Sequence, residues 1–201
     1  MEPPGALGRS LSDQDDPDRL LVEAMARGES DALVELMRRN APWVRGVIFA
    51  ACGDADAVED VGQQVWLSAW RRIGSLSDAA KWRSWLYSLA YHAAVDSARR
   101  AGRRKRLRDR LMAWRTRKAS PEAEPPERMI RQEIHQRALS AVAALPKIYR
   151  GPFVLRHLGG WSYREIAEAM DLPAATVETR LVRARRLLRD ALTDLTDGAD
   201  R

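Results

Sequence analysis

The stretch WSYREIAEAMDLPAATVETRLVRARRLLRD, residues 161–190, sets two short helical patterns either side of a turn and crowds the second with arginine. Ser162 followed by Glu165 fits a capping box, in which hydroxyl and carboxylate each satisfy an orphan backbone donor at the helix start. Asp171, Leu172 and Pro173 mark the turn: Asp171 tolerates a left-handed backbone better than most residues, and Pro173 suits a first helical turn. Ile166, Ala167, Met170, Leu172, Val177 and Leu181 are spaced to pack the two helices steeply together, with the small Ala167 permitting close approach. The outer face of the second helix then carries Ala174, Ala175, Glu178, Thr179, Arg180 and Arg183, with Arg185, Arg186 and Arg189 beyond. Ala175, Glu178 and Thr179 are side chains that can meet base edges, and the arginines suit phosphate.

Other chemistry is poorly provided for. Asp54, Asp56, Glu59 and Asp60 crowd a helix start, where capping and the helix dipole account for acids without a metal. His92, His135 and His157 are too scattered to suggest a metal site, and the single cysteine, Cys52, excludes a cysteine-based zinc site and an intrachain disulfide. No metal site is expected.

The elements that must position the arginine-rich helix read as all helical. Apolar residues recur at three and four, and alternating β-branched runs are missing. Leu20, Leu21, Ala24 and Met25 predict a short helix ending at Gly28; Ser30 or Asp31 then caps a longer one bearing Leu33, Leu36, Met37, Val44, Val47 and Ile48, with a bend at Pro42. Asp56 with Glu59 resembles a capping box for a third helix carrying Val58, Val61, Val65, Ala69 and Ile73. After GSLSDAAK, residues 74–81, Trp82, Trp85, Leu86, Leu89, Ala90, Ala93 and Ala94 form the stripe of a fourth. The expected plan is two small helical domains joined by a flexible linker. It runs as a disordered acidic leader, 1–16; a bundle, 17–101; a basic then Pro/Glu-rich linker, 102–127; a second domain, 128–195; and a tail, 196–201.

The 201 residues carry a formal charge of +6 and a pI near 10.0, which favours a polyanionic partner. The charge is segregated. Residues 1–18 hold five acids and one base, whereas residues 99–118 hold eleven Arg or Lys against one acid, Asp109. So dense a run is either a solvated linker or a phosphate contact. No apolar run approaches the length of a membrane span and the first residues lack a signal-peptide pattern, so a soluble, cytoplasmic protein is expected.

Taken together, the two halves resemble a sigma factor of the sigma-70 family, in its extracytoplasmic-function (ECF) group. LPKIYRGPFVLRHLGGWSYREIAEAMDLPAATVETRLVRARRLLRDAL is similar to the group's fourth region, and DAVEDVGQQVWLSAWRRI with WRSWLYSLAYHAAVDSARR to its second. The resemblance implies a protein that binds core RNA polymerase, through its beta and beta-prime subunits, and directs it to promoter DNA. Its second region would recognise and melt the minus-ten element while its fourth reads minus-thirty-five. An anti-sigma partner is implied as well, and no enzymatic activity, cofactor, small-molecule substrate or membrane insertion.

Carried onto this chain, the resemblance assigns Asp60, Gln63 and Gln64 to the polymerase, Gln64 standing where an acid is usual. It assigns Ser75, Ser77, Asp78, Lys81, Trp82, His92, Asp96, Arg99 and Arg100 to the minus-ten element, Trp82 replacing a commoner phenylalanine and His92 an asparagine. Ala174, Ala175, Thr176, Glu178, Thr179, Arg180, Arg183 and Arg186 fall to minus-thirty-five, Glu178 standing where lysine is common. The competing reading is a stand-alone helix-turn-helix repressor or activator.

Overall fold

The structure, a computed structural model, describes residues 16–111 and 140–197. The described residues hold no strand; their helices are α1 (Pro17–Ala26), α2 (Ser30–Cys52), α3 (Ala57–Arg72), α4 (Trp82–Leu111), α5 (Lys147–Leu158), α6 (Tyr163–Met170) and α7 (Ala174–Asp197), and residues 140–144 are helical as well. Two short 3-10 turns, Ile73–Ser75 and Ala79–Lys81, join α3 to α4. The expected leader, the Pro/Glu-rich part of the linker, residues 128–139 of the second domain and the end of the tail lie outside the described residues.

α1 starts at Pro17. Asp16 is its N-cap, its carboxylate accepting from the Asp18 backbone N–H, and Pro17 occupies the first turn, where a missing N–H costs nothing. Asp16 also accepts from Trp82 Nε1 at 2.8 Å. Asp18 is buried, bonded to Asn40 Nδ2 at 2.9 Å and Arg39 Nη1 at 3.1 Å. Asn40 in turn accepts from Trp43 Nε1 at 2.7 Å, so a closed polar network ties α1 to α2. Within α1 it is Val22, Ala24 and Met25 that are buried, and the expected core residue Leu20 is exposed.

α2 runs unbroken through Pro42. A proline in a helix interior costs about 3 kcal/mol, and the burial of Trp43, Val44, Val47 and Ile48 just after it offsets that cost. Two expected caps are absent: α2 starts after Glu29 without a side-chain cap, and Asp56 makes no capping bond at α3. Instead Asp54 accepts from the Asp56 N–H, and Glu59, the other half of the expected box, pairs across to Arg45 of α2. α2 ends at Gly53, whose φ of 73° gives the left-handed turn glycine adopts without strain.

α4 continues to Leu111, ten residues beyond the expected end of the bundle, so the basic run begins on a helix rather than in a loop. Its start is buried: Trp82 is 1 % exposed and Leu86 equally so. α2 is the spine of the molecule, packing against α1, α3, α4 and also α5 of the second domain. One apolar core therefore runs from Val22 and Val65 through Ile48 and Tyr87 to Leu155, Trp161, Ile166 and Leu181. A smaller cluster of Ala141, Leu145, Ala184 and Leu188 holds the end of α7 in place.

Candidate nucleic-acid interface

The helix-turn-helix forms as its local chemistry requires. The Ser162 side chain accepts from the Glu165 N–H at 3.2 Å, and Glu165 accepts from the Ser162 N–H at 2.6 Å, completing the capping box. Asp171 takes φ 52° and ψ 54°, the left-handed turn that ends α6. Ile166, Ala167, Val177 and Leu181 are buried between α6 and α7, which leaves one side of α7 to solvent. On that side Ala174, Ala175, Glu178, Thr179, Arg183 and Arg186 are exposed, and Thr176 and Arg180 are half-buried. Thr179 Oγ1 donates to the Ala175 carbonyl, and Arg183 Nη1 reaches Tyr149 Oη at 3.4 Å. A shallow depression between α5 and α7 is floored by Ile148, Tyr149, Ala175, Thr179 and Arg183. The surface presents small and polar groups at its centre and arginine at its margin, the pattern of a base-reading helix flanked by phosphate contacts.

The α3–α4 connection holds the second set. Ser75, Ser77, Asp78 and Lys81 are exposed. Ser75 Oγ donates to the Arg72 carbonyl at 2.7 Å, and Asp78 caps the second 3-10 turn through the Ala80 N–H at 2.9 Å, so both side chains brace the loop. Farther along α4, His92, Asp96, Arg99 and Arg100 repeat at four, three and one, which places them on one exposed face. Asp96 pairs with Arg99 at 3.7 Å, an exposed contact that a phosphate can replace.

Trp82, on the apolar stripe by its spacing and at the minus-ten element by the resemblance, lies in the core. Its indole N–H is spent on Asp16, and the Arg83 guanidinium carbon lies 5.5 Å from the ring centroid. Stacking on a base needs an open π-face, which this ring does not offer.

The third set lies on the outward side of α3. Asp60, Gln63 and Gln64 are exposed at helical spacing, and Leu67, 53 % exposed, continues the same stripe. Leu67 escaped the sequence reading, although its position three after Gln64 and four after Gln63 was the available signal. Arg83 and Arg150 escaped it too, because what makes each of them matter is a partner far away in the chain. No group of three or more His, Cys, Asp or Glu among the described residues could hold a metal, so the crowded acids at the start of α3 form no such site. No described helix is long and apolar enough to cross a membrane.

A helix-turn-helix with an exposed, arginine-flanked second helix, docked on a helical bundle, is the architecture of a DNA-binding protein. Residues 36–104 match the family model of sigma-70 region 2, and residues 135–188 that of sigma-70 region 4. The chain is 31 % identical over 183 residues to the RNA polymerase sigma-H factor of Pseudomonas aeruginosa, spanning 89 % of this chain and 95 % of that protein. It is also 31 % identical to the ECF RNA polymerase sigma-E factor of Escherichia coli K12, over 85 % of this chain and 92 % of that one. Its fold resembles CnrH, solved in complex with the cytosolic domain of CnrY (TM-score 0.64, 23 % identity, 89 % of this chain and 99 % of that one). It also resembles the sigma factor RpoE of Bartonella quintana, solved with the anti-sigma factor NepR (TM-score 0.60, 19 % identity, 79 % of this chain and 95 % of that one). The chain belongs to the sigma-70 family, in its ECF group.

Proposed function

We propose that this chain uses three separate surfaces to do a sigma factor's work, promoter-directed initiation of transcription. The stripe Asp60, Gln63, Gln64 and Leu67 on α3 docks on core RNA polymerase, where a carboxylate and two amides meet a basic, polar helix and Leu67 supplies apolar contact. The 75–81 loop with His92, Asp96, Arg99 and Arg100 engages the opened minus-ten strand, and the outward face of α7 reads minus-thirty-five. Trp82 supports the loop from within. The observation that carries the reading is the coexistence, in one chain, of the exposed α7 face on an intact helix-turn-helix and the exposed α3 stripe. A stand-alone repressor has use for the first and none for the second.

RNA synthesis then belongs to the polymerase, and the chain contributes binding and strand separation without catalytic residues of its own. It acts in the cytoplasm, where promoter DNA is. Both solved relatives carry a protein partner, named an anti-sigma factor for the Bartonella protein, and a partner of that kind holds this chain inactive.

The decisive experiment is transcription in vitro from the DNA upstream of this gene, with purified core polymerase, with and without the protein. Specific initiation only when both are present supports the reading. A protein that binds this DNA but neither copurifies with core polymerase nor starts transcription is a repressor or activator.

A further inference from the structure

The dense basic run that begins at Arg99 is carried, for its first part, on α4. From Arg99 to Leu111 that helix holds eight Arg or Lys against one acid, Asp109. Like charges three or four apart weaken a helix. This stretch sets Arg99 against Arg103, Arg100 against Arg104, Arg104 against Arg108 and Arg106 against Arg110. Packing on the bundle does not offset the repulsion at Gly102, which is exposed and where a Cβ would meet nothing within 4 Å beyond the helix itself. At that point α4 has run clear of the body. A helix so charged and so free needs a polyanion beside it.

The charges are also in register. His92 and Asp96 are followed by Arg99, Arg103, Arg106 and Arg110 at three, four, three and four, the repeat that keeps residues on one side of an α-helix. At 3.6 residues per turn these six positions fall within about 80° of one another. Arg104, Lys105 and Arg108 fall on other sides of the helix. Gly102, three after Arg99 and four before Arg106, borders the row, so the open space at its Cβ lies beside the arginines. From Arg99 to Arg110 the row is about 16 Å long at 1.5 Å per residue, the length of roughly five base pairs at 3.4 Å each. The family model of region 2 stops at residue 104. Arg106 and Arg110 lie beyond it and belong to none of the three surfaces described above.

We propose that Arg99, Arg103, Arg106 and Arg110 form a phosphate-binding row that lies along duplex DNA immediately upstream of the opened minus-ten strand. Its placement rests on the assignment of the 75–81 loop, His92 and Asp96 to that element; its affinity for duplex does not. The loop stands at the start of α4 and the row at its end, and from Leu111 the chain goes on towards α7, whose element lies upstream. The row therefore points upstream. Duplex DNA presents one negative charge per about 1.7 Å of its axis, more than the row needs, and a guanidinium can meet two phosphate oxygens at once. Such contacts fix position on the DNA without reading its sequence. The row holds closed duplex beside the strand that the loop keeps open, and the phosphates relieve the repulsion along α4.

The test compares two triple variants of the full chain that carry the same net charge. Arg103→Ala, Arg106→Ala and Arg110→Ala together empty the row beyond Arg99. Arg104→Ala, Lys105→Ala and Arg108→Ala remove as many charges from the other sides of the same helix. Alanine is the best helix former, so both triples should keep native circular dichroism. Each is bound to core polymerase and titrated with duplex DNA that ends in an opened minus-ten strand. The first triple should lower the slope of log affinity against log salt by about 2.7, near 0.9 for each lost phosphate contact, and the second by less than about 1. Binding of a single-stranded minus-ten oligonucleotide should be unchanged by either. Equal losses from the two triples would mean a diffuse polycation and overturn the row, as would a loss confined to the single strand. A photocrosslinker on Arg106→Cys, in a Cys52→Ser background, should attach to duplex upstream of minus-ten, and attachment to the transcript in its place overturns the proposal. A chain that fails to bind core polymerase would count against the sigma assignment alone, because the free chain on plain duplex should show the same difference between the triples.

Discussion

Trp161 meets Trp43 edge to face, with ring centroids 5.3 Å apart and planes at 65°, joining the helix-turn-helix to a helix more than a hundred residues earlier. Trp43 is itself held by Asn40, and Asn40 by Asp18, so the contact is braced back to α1. Trp161→Ala should destabilise the protein by about 3–5 kcal/mol, the usual cost of removing a large buried aromatic. Urea denaturation followed by circular dichroism should give one transition for the native chain, whose core is continuous, and two for the variant.

The buried network offers a second measurement. Asn40→Ala leaves the Asp18 carboxylate without its amide donor and the Trp43 indole without an acceptor, and should cost about 2–3 kcal/mol. A loss below about 0.5 kcal/mol would mean that Arg39 alone satisfies Asp18.

The turn of the helix-turn-helix contains the described residues' one non-glycine position with positive φ, Asp171. A side chain in the left-handed region is strained, and Asp171→Gly should raise stability by about 0.5–1 kcal/mol. Upstream-element binding should be unchanged, because Asp171 lies before the reading helix. A lowered melting temperature would show that the aspartate contributes more than its strain costs.

On α3, Asp60→Ala should weaken association with core polymerase about tenfold, as loss of a charged interface contact does. Gln64→Glu, which restores a second carboxylate beside it, should strengthen association and steepen its salt dependence. Surface plasmon resonance at two salt concentrations separates the two effects.

Arg180 and Arg183 flank the reading face of α7. Replacing both with Ala should lower the slope of log affinity against log salt by about 1.8 on upstream-element DNA, near 0.9 for each lost phosphate contact. An unchanged slope removes them from the phosphate set. Glu178→Gln should instead alter base preference, because a carboxylate accepts from cytosine and repels phosphate.

The helix-turn-helix was legible residue by residue, from the capping box at Ser162 to the turn at Asp171 and the outward arginines. Each of those features is decided within one or two helical turns. The caps at Ser30 and at Asp56 with Glu59 were misread for the same reason in reverse. A cap motif competes with other partners, and Glu59 finds Arg45 on the neighbouring helix. Trp82 falls both on the apolar stripe of α4 and at a position the resemblance gives to DNA, and spacing alone does not choose between them. Asp16, 66 residues earlier, decides the matter by taking its N–H.

By itself the sequence determined the all-helical class, the family and the chemistry of the α7 face, because periodicity, capping and charge are local quantities. Only the tertiary structure decided that region 4 closes on region 2. Gly46 reads in sequence as a flaw in a helix and becomes a point of contact once Val154 and Leu158 lie across it. Arg150 reads as one more basic residue until its N–H groups reach the carbonyls of Ala50, Ala143 and Leu145. Close approach and the satisfaction of buried donors depend on atoms a hundred residues apart, and no local pattern carries that information.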